Sequence, residues 1–139
     1  MMRYVFVTGS RYADLRVGHV LWEHLWEVEK PKHQHTIVHG DCEGVDRMAA
    51  RIAGVLGWVG NLPIPAQWYD FGPRAGPIRN GTLVAIADHL RSENYDVTWL
   101  AFPMGASTGT RGCIELASDA GFEVSVHELP NYPKMRDPT

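Results

Sequence analysis

The sequence predicts an α/β protein, a single Rossmann-like domain in which a mainly parallel five-stranded sheet is flanked by helices. Three observations carry this expectation. Short runs rich in β-branched and aromatic residues alternate with longer runs of helical period. The first two strand-like runs stop at glycines, each followed by a turn and then a helix. The chain has 139 residues, of which 45% are hydrophobic and 21% charged, as in one globular domain with its own core. Strands that alternate with helices imply βαβ units, and right-handed crossovers then make the sheet parallel. The domain is expected to span residues 1–129, with a proline-rich tail at 130–139.

Taken in order, "RYVFVT" (3–8) reads as a strand buried on both faces that ends at Gly9. After the turn "GSRYAD", residues 15–29 repeat Val17, Leu21, Leu25 and Val28 at helical spacing, with Asp14 as N-cap and Pro31 past the end. Trp22 and Trp26 form a second stripe on that helix, suited to a core or subunit contact. "HTIVHG" (35–40) is the second strand. "CEGVDRMAARIAGVLG" then places Val45, Met48, Ala49, Ile52 and Leu56 on one helical face and closes at Gly57. A third strand lies within "WVGNLPIP", interrupted by Gly60, Pro63 and Pro65. "AQWYDFGPRAGP" (66–77) has no period and reads as a long connection. "IRNGTLVAIADHL" is a helix, "DVTWLAF" (96–102) the fourth strand, "TRGCIELASDAG" a helix, and "FEVSVHEL" (122–129) the fifth strand. The tail "PNYPKMRDPT" offers little to bury and reads as a wrapped arm or a frayed end.

Composition excludes several classes. No apolar run approaches the roughly 20 residues of a membrane span, and "MMRYVFVTGS" lacks the pattern of a cleaved leader, so no membrane partner and a cytoplasmic location are expected. A formal charge of −3 disfavours nucleic-acid binding by bulk electrostatics. Cys42 and Cys113 lack metal or redox spacing and read as reduced thiols, and no His/Cys/Asp pattern implies a metal.

In a parallel open sheet the ligand lies beyond the carboxyl ends of the strands, where strand order reverses. Three glycine-bearing turns leave such ends. In the first, Gly9 allows a close turn, while Ser10 and the backbone up to Arg11 can donate to an oxyanion. The second is "HGDCEGVD", in which Gly40 and Gly44 let the chain pass close to a ligand before a helix start. There Asp46 serves either as a favourable charge in the first helical turn or as acceptor of a ribose hydroxyl. His39 bonds either a ligand or the backbone. The third is "FPMGASTGT", where Pro103, Gly105, Ser107, Thr108, Gly109 and Thr110 offer a flexible backbone, three hydroxyls and the free N–H groups of a helix start, a set that suits phosphate. It lacks the lysine of the G-x-x-x-x-G-K-[ST] loop, and no G-x-G-x-x-G follows the first strand, so triphosphate hydrolysis and ordinary dehydrogenase chemistry have no support. Arg79 and Asn80, near a helix start, add a candidate bidentate phosphate contact or a surface ion pair.

"VTGSR", "HGDCEGVD", "AQWYDFGPRAGPIRN" and "FPMGASTGT", in this order and spacing, resemble the small YspA/YpsA-related branch of the SLOG superfamily, which groups the Smf/DprA and LOG proteins. The resemblance runs from Arg3 to about Glu128 and implies a Rossmann-like fold with a nucleotide site at the strand ends. It also implies a bacterial or bacteriophage source. LOG phosphoribohydrolases carry P-G-G-x-G-T-x-x-E, whose glutamate acts with an arginine on an N-glycosidic bond. Gly109 and Thr110 match the G-T and Arg79 resembles the arginine, but the glutamate position is Cys113. Glu115, two residues on, is rotated by about 200° around the helix. A thiol with an ordinary pKa of about 8.5 is mostly neutral and cannot steady oxocarbenium-like charge.

The expected function is therefore the binding or sensing of a nucleotide derivative, such as ADP-ribose, an NAD-related compound or a nucleoside phosphate, with no required cofactor. Trp68 and Tyr69 are candidates to cover its base. The alternatives are an N-glycosidic hydrolase of altered residues using Asp46 or Asp88, and DprA-like single-stranded DNA binding with Arg47 and Arg51 as a local patch. The LOG relatives' pairing through helices implies a homodimer that uses the Trp22/Trp26 stripe.

Overall fold

The computed structural model describes residues 2–29 and 34–132. Five strands, β1 (Met2–Gly9), β2 (Gln34–His39), β3 (Gly60–Pro63), β4 (Asp96–Phe102) and β5 (Val124–Val126), form one sheet in the order β3-β2-β1-β4-β5. Every pairing is parallel. The fold is thus α/β with an all-parallel five-stranded sheet flanked by helices. The chain moves outward from β1 to β3, then crosses to β4, so strand order reverses between β1 and β4.

Strand alternation sorts the core into two layers. Val5, Val7, Ile37, Leu100 and Phe102 face one side and pack with Val17, Leu21, Leu25, Val45 and Ala49. Phe6, Val38 and Trp99 face the other, against Leu83, Ala87, Cys113 and Ala117. The first layer is covered by α1 (Gly18–Val28) and α2 (Val45–Val55), the second by α4 (Ala75–Ser92) and α5 (Thr108–Asp119).

The expected helix over 15–29 begins instead with a 3-10 turn, Leu15–Val17, capped by Asp14, whose Oδ1 accepts from the Arg16 amide at 2.9 Å. Pro31 lies outside the described residues. The connection over 66–77 is not a structureless loop. It holds a one-turn helix α3 (Trp68–Phe71), a 3-10 turn Gly72–Arg74 and the first residues of α4. Pro77 masked this start, yet a proline in the first turn of a helix loses no backbone hydrogen bond. The fifth strand is shorter than the expected 122–129. Past Val126 the chain goes on alongside the end of β4 in the same direction, with the His127 amide donating to Ala101 O and the Leu129 amide to Pro103 O, both at 2.8 Å. Of the tail, residues 130–132 are described and 133–139 are not. Among the described residues no helix is long and apolar enough to cross a membrane.

Candidate functional site

A cavity of about 560 Å³ opens where β1 and β4 diverge. Gly9, Ser10 and Arg11 line it from the end of β1, Gly40 and Asp46 from the β2–α2 connection, Arg79 and Asn80 from α4, and Ser107, Thr108, Gly109 and Thr110 from the start of α5. Gly105 also lines it. His39 and Pro103 are not among the lining residues.

Close backbone packing builds the floor. A Cβ on Gly9 would come within 2.5 Å of the Val45 side chain, so glycine is what lets α2 meet the end of β1. Ser10 continues the β1–β4 ladder through its amide to Phe102 O at 3.1 Å, and its own carbonyl accepts from the Val45 amide at 3.1 Å. Its Oγ accepts from the Tyr12 amide at 3.1 Å, which leaves the hydroxyl proton to donate. The first amide of α2 is thus satisfied internally.

Arg79 crosses from α4 to the end of β2. Its guanidinium fills the space that a Cβ on Gly40 would need, and Nη1 donates to Gly40 O at 2.6 Å. Nε donates to Asn80 Oδ1 at 3.0 Å, and both Nη atoms lie 3.6 Å from Cys42 Sγ. Among the described residues Arg79 makes no ion pair, so its charge is not matched by a carboxylate within pairing distance. Asn80 in turn donates through Nδ2 to Gly109 O at 3.2 Å, tying α4 to the start of α5.

At α5 the chain enters the helix through left-handed backbone at Gly105 (φ 62) and Ser107 (φ 44). Ser107 makes no side-chain cap bond. The orphan amides of a helix start therefore border the cavity without a capping side chain. Together with the dipole of a twelve-residue helix they favour an anion at this wall, beside the guanidinium of Arg79.

Asp46 is buried, and its role differs from helix capping. Oδ2 accepts from the Gly40 amide at 3.0 Å and the Cys42 amide at 3.3 Å, fixing the β2–α2 turn, while Oδ1 is buried with no partner. Burial pushes the carboxyl up to about 6, against the opposing pull of the two amides and Arg79. Because this value lies above that of an unfolded aspartate, the folded protein keeps a proton that the unfolded chain releases. The stability contributed by this carboxyl is full below about pH 4 and falls as the pH rises to about 6. Asp46→Asn is expected to remove that slope, so urea midpoints should shift in favour of the variant across this window. Parallel midpoints for the two proteins would contradict the buried, protonatable carboxyl.

His39 is also buried, between β2 and β3. Nδ1 accepts from the Asp41 amide at 3.0 Å, which leaves the proton on Nε2 to donate to Asn61 Oδ1 at 2.8 Å. Burial lowers its pKa. Of the two roles open in the sequence, the geometry gives His39 the structural one. Trp68 and Tyr69 do not line the cavity either, although Arg11 lies 6.0 Å from the Trp68 ring centroid. Cys113 sits in the second core layer rather than in the cavity wall, with its thiol pushed by burial up to about 11.

Sequence reasoning missed Tyr12, Cys42, Leu83, Met104 and Asn131, all of which line the cavity. Cys42 stands inside a motif already singled out, and its place between two glycines was the available signal. Nothing in the composition of the tail distinguished Asn131. A thiol-alkylating reagent at mildly alkaline pH is expected to label Cys42 and spare Cys113 in the folded protein. Peptide mass spectrometry checks this, and equal labelling would contradict the burial of Cys113. Among the described residues no group of three or more His, Cys, Asp or Glu side chains could hold a metal.

Against known proteins, no family model matches the chain. The C-terminal domain of a hydrogenase from Pyrococcus furiosus is similar over 91% of this chain and 90% of its own, at 15% identity and a TM-score of 0.44. The Gene 61 protein of Mycobacterium phage D29 is 36% identical over 128 residues, spanning 88% of this chain and 94% of the relative. The chain belongs to the same family as this phage protein.

Proposed function

We propose that this protein binds or senses a phosphorylated nucleotide derivative, such as ADP-ribose, an NAD-related compound or a nucleoside phosphate, at the cavity between β1 and β4. The observation that carries the reading is the meeting, on one wall, of an uncapped α5 start and an arginine without an ionic partner. The phosphate rests on the amides and hydroxyls of Ser107, Thr108, Gly109 and Thr110, Arg79 pairs its charge, and Gly9 to Arg11 close the other side. The ligand is a phosphate ester rather than a bare phosphate because a cavity of about 560 Å³ is in the range of small-molecule sites. Its four motifs support membership of the YspA/YpsA-related branch of the SLOG superfamily, and the phage relative supports action in the cytoplasm of a bacterial or phage-infected cell.

A thermal-unfolding panel with ADP-ribose, NAD, AMP, adenosine and a short DNA strand tests the reading. A ligand at about 100 times its Kd adds roughly 2.7 kcal/mol, enough to raise Tm by several degrees. A shift with AMP but not adenosine is expected, and no shift with any nucleotide would end the proposal.

A second reading, N-glycosidic hydrolysis, is favoured by one observation, a cavity carboxyl raised to about 6, as a general acid requires. Asp88 drops out of it, since it pairs with Arg91 at 2.7 Å away from this cavity. Release of free base from a nucleoside monophosphate that disappears in Asp46→Asn would support hydrolysis. For DNA binding the candidate patch is weak, because Arg47 is paired with Asp41 at 3.4 Å. We also propose a homodimer formed through α1, where Trp22 and Trp26 stack with ring centroids 6.1 Å apart and keep 40% and 43% of their surfaces exposed. Sedimentation across a concentration series tests it, and a monomer throughout would exclude it.

A further inference from the structure

The turn that carries the anion seat is held from outside by an ion pair. Arg111 lies just past the first turn of α5, and because Cβ bonds on a helix tilt towards its N-terminus, the side chain runs back over that turn. Nε donates to Ala106 O at 3.0 Å and Nη2 to Gly105 O at 2.7 Å. The same guanidinium meets both carboxylate oxygens of Glu128, at 2.9 and 2.8 Å. Glu128 belongs to the segment after β5, which is itself fixed to β4 by the bond from the His127 amide to Ala101 O and to the residue after β4 by the bond from the Leu129 amide to Pro103 O. The turn is therefore gripped from two sides.

It needs such a grip. Ser107 is left-handed without glycine's freedom (φ 44) and has no side-chain cap bond to offset the strain. A pair this exposed contributes little to global stability. Its contacts instead converge on the carbonyls of Gly105 and Ala106, the two residues before the N-cap Ser107.

We propose that Arg111 and Glu128 are positioning residues that hold turn 105–107 in the shape that aims those amides at the cavity, so that phosphate is bound by backbone amides and not by Arg111. The inference rests on the phosphate-binding reading above. Glu128 offsets the guanidinium charge, and Nε and Nη2 are already engaged by the turn's own carbonyls.

Three variants, Arg111→Ala, Arg111→Lys and Glu128→Gln, test it with two readouts: the affinity for AMP and adenosine, and the ¹⁵N order parameters of turn 105–107 in the ligand-free protein. Arg111→Ala and Glu128→Gln are expected to weaken AMP binding by about tenfold through lost preorganisation, leave adenosine unaffected and lower the order parameters. Arg111→Lys should not rescue, because an ammonium cannot span two carbonyls and a carboxylate as the planar fork does. Tighter AMP binding by Glu128→Gln would show a freed Arg111 contacting phosphate directly and overturn the proposal. Full rescue by Arg111→Lys would reduce the effect to charge alone and overturn it as well. Unchanged order parameters would overturn it even if AMP does not bind. Lowered order parameters in a protein that binds no phosphate would keep the clamp and remove the phosphate reading.

Discussion

Arg79→Ala is expected to weaken AMP or ADP-ribose binding by roughly 10- to 100-fold, the size of a charge-assisted hydrogen bond lost from a sheltered site. The guanidinium is placed by Gly40 O, Asn80 Oδ1 and Cys42 Sγ, and among the described residues it makes no ion pair. Their geometry holds the side chain at the cavity wall before any ligand arrives, so little ordering remains to be done on binding. Arg79→Lys should recover only part of the affinity, since a point charge cannot keep the bond to Gly40 O and pair with phosphate in the same plane. Adenosine, which carries no phosphate, serves as the control. Calorimetric titration measures the change, and unaltered AMP affinity in Arg79→Ala would remove Arg79 from the site.

Gly44→Ala is expected to have the largest effect on the fold. Gly44 sits at φ 79 and ψ −126, a conformation that side-chain-bearing residues rarely adopt. Its missing Cβ is also where the backbone of Ser10 and Arg11 passes, with Arg11 C at 2.7 Å from the position a Cβ would take. Backbone cannot rotate aside as a side chain can. Strain and displacement together should cost about 3 kcal/mol or more, a drop in Tm of roughly 10 °C for a domain of this size. The displaced Ser10 carbonyl is the acceptor for the first amide of α2, so the β1 side of the cavity moves with it. Gly54→Ala provides the contrast, because a Cβ there meets nothing within 4 Å and Gly54 lies inside α2. That variant should be neutral or stabilising by up to about 1 kcal/mol. Equal losses for both would contradict this account of the turn.

Much of this architecture is legible in the sequence because it depends on local periodicity. Val5, Phe6 and Val7 read as a strand buried on both faces, and they enter both core layers. Val17, Leu21 and Leu25 read as a helix face and are fully buried. The glycine at the end of each early strand marked the close approaches that Gly9 and Gly40 make to Val45 and Arg79. What failed was decided by tertiary contact. The helix start at Ala75 was hidden by Pro77, whose effect depends on where in the turn it falls. His39 and Asp46 belong to one motif, yet one turns into the β2–β3 seam and the other onto its own turn, and no spacing rule separates those directions. Asn131 reaches the wall because the segment after β5 goes on alongside β4 towards its carboxyl end, a path that composition alone does not encode.

The most direct test of the central claim is an amide chemical-shift titration of the ¹⁵N-labelled protein with AMP and, separately, with adenosine. Phosphate recognition at the α5 start predicts that AMP shifts the amides of Thr108, Gly109 and Thr110 together with the Arg79 side chain, while adenosine leaves these signals in place. Shifts confined to other surfaces, or none with either compound, would contradict it.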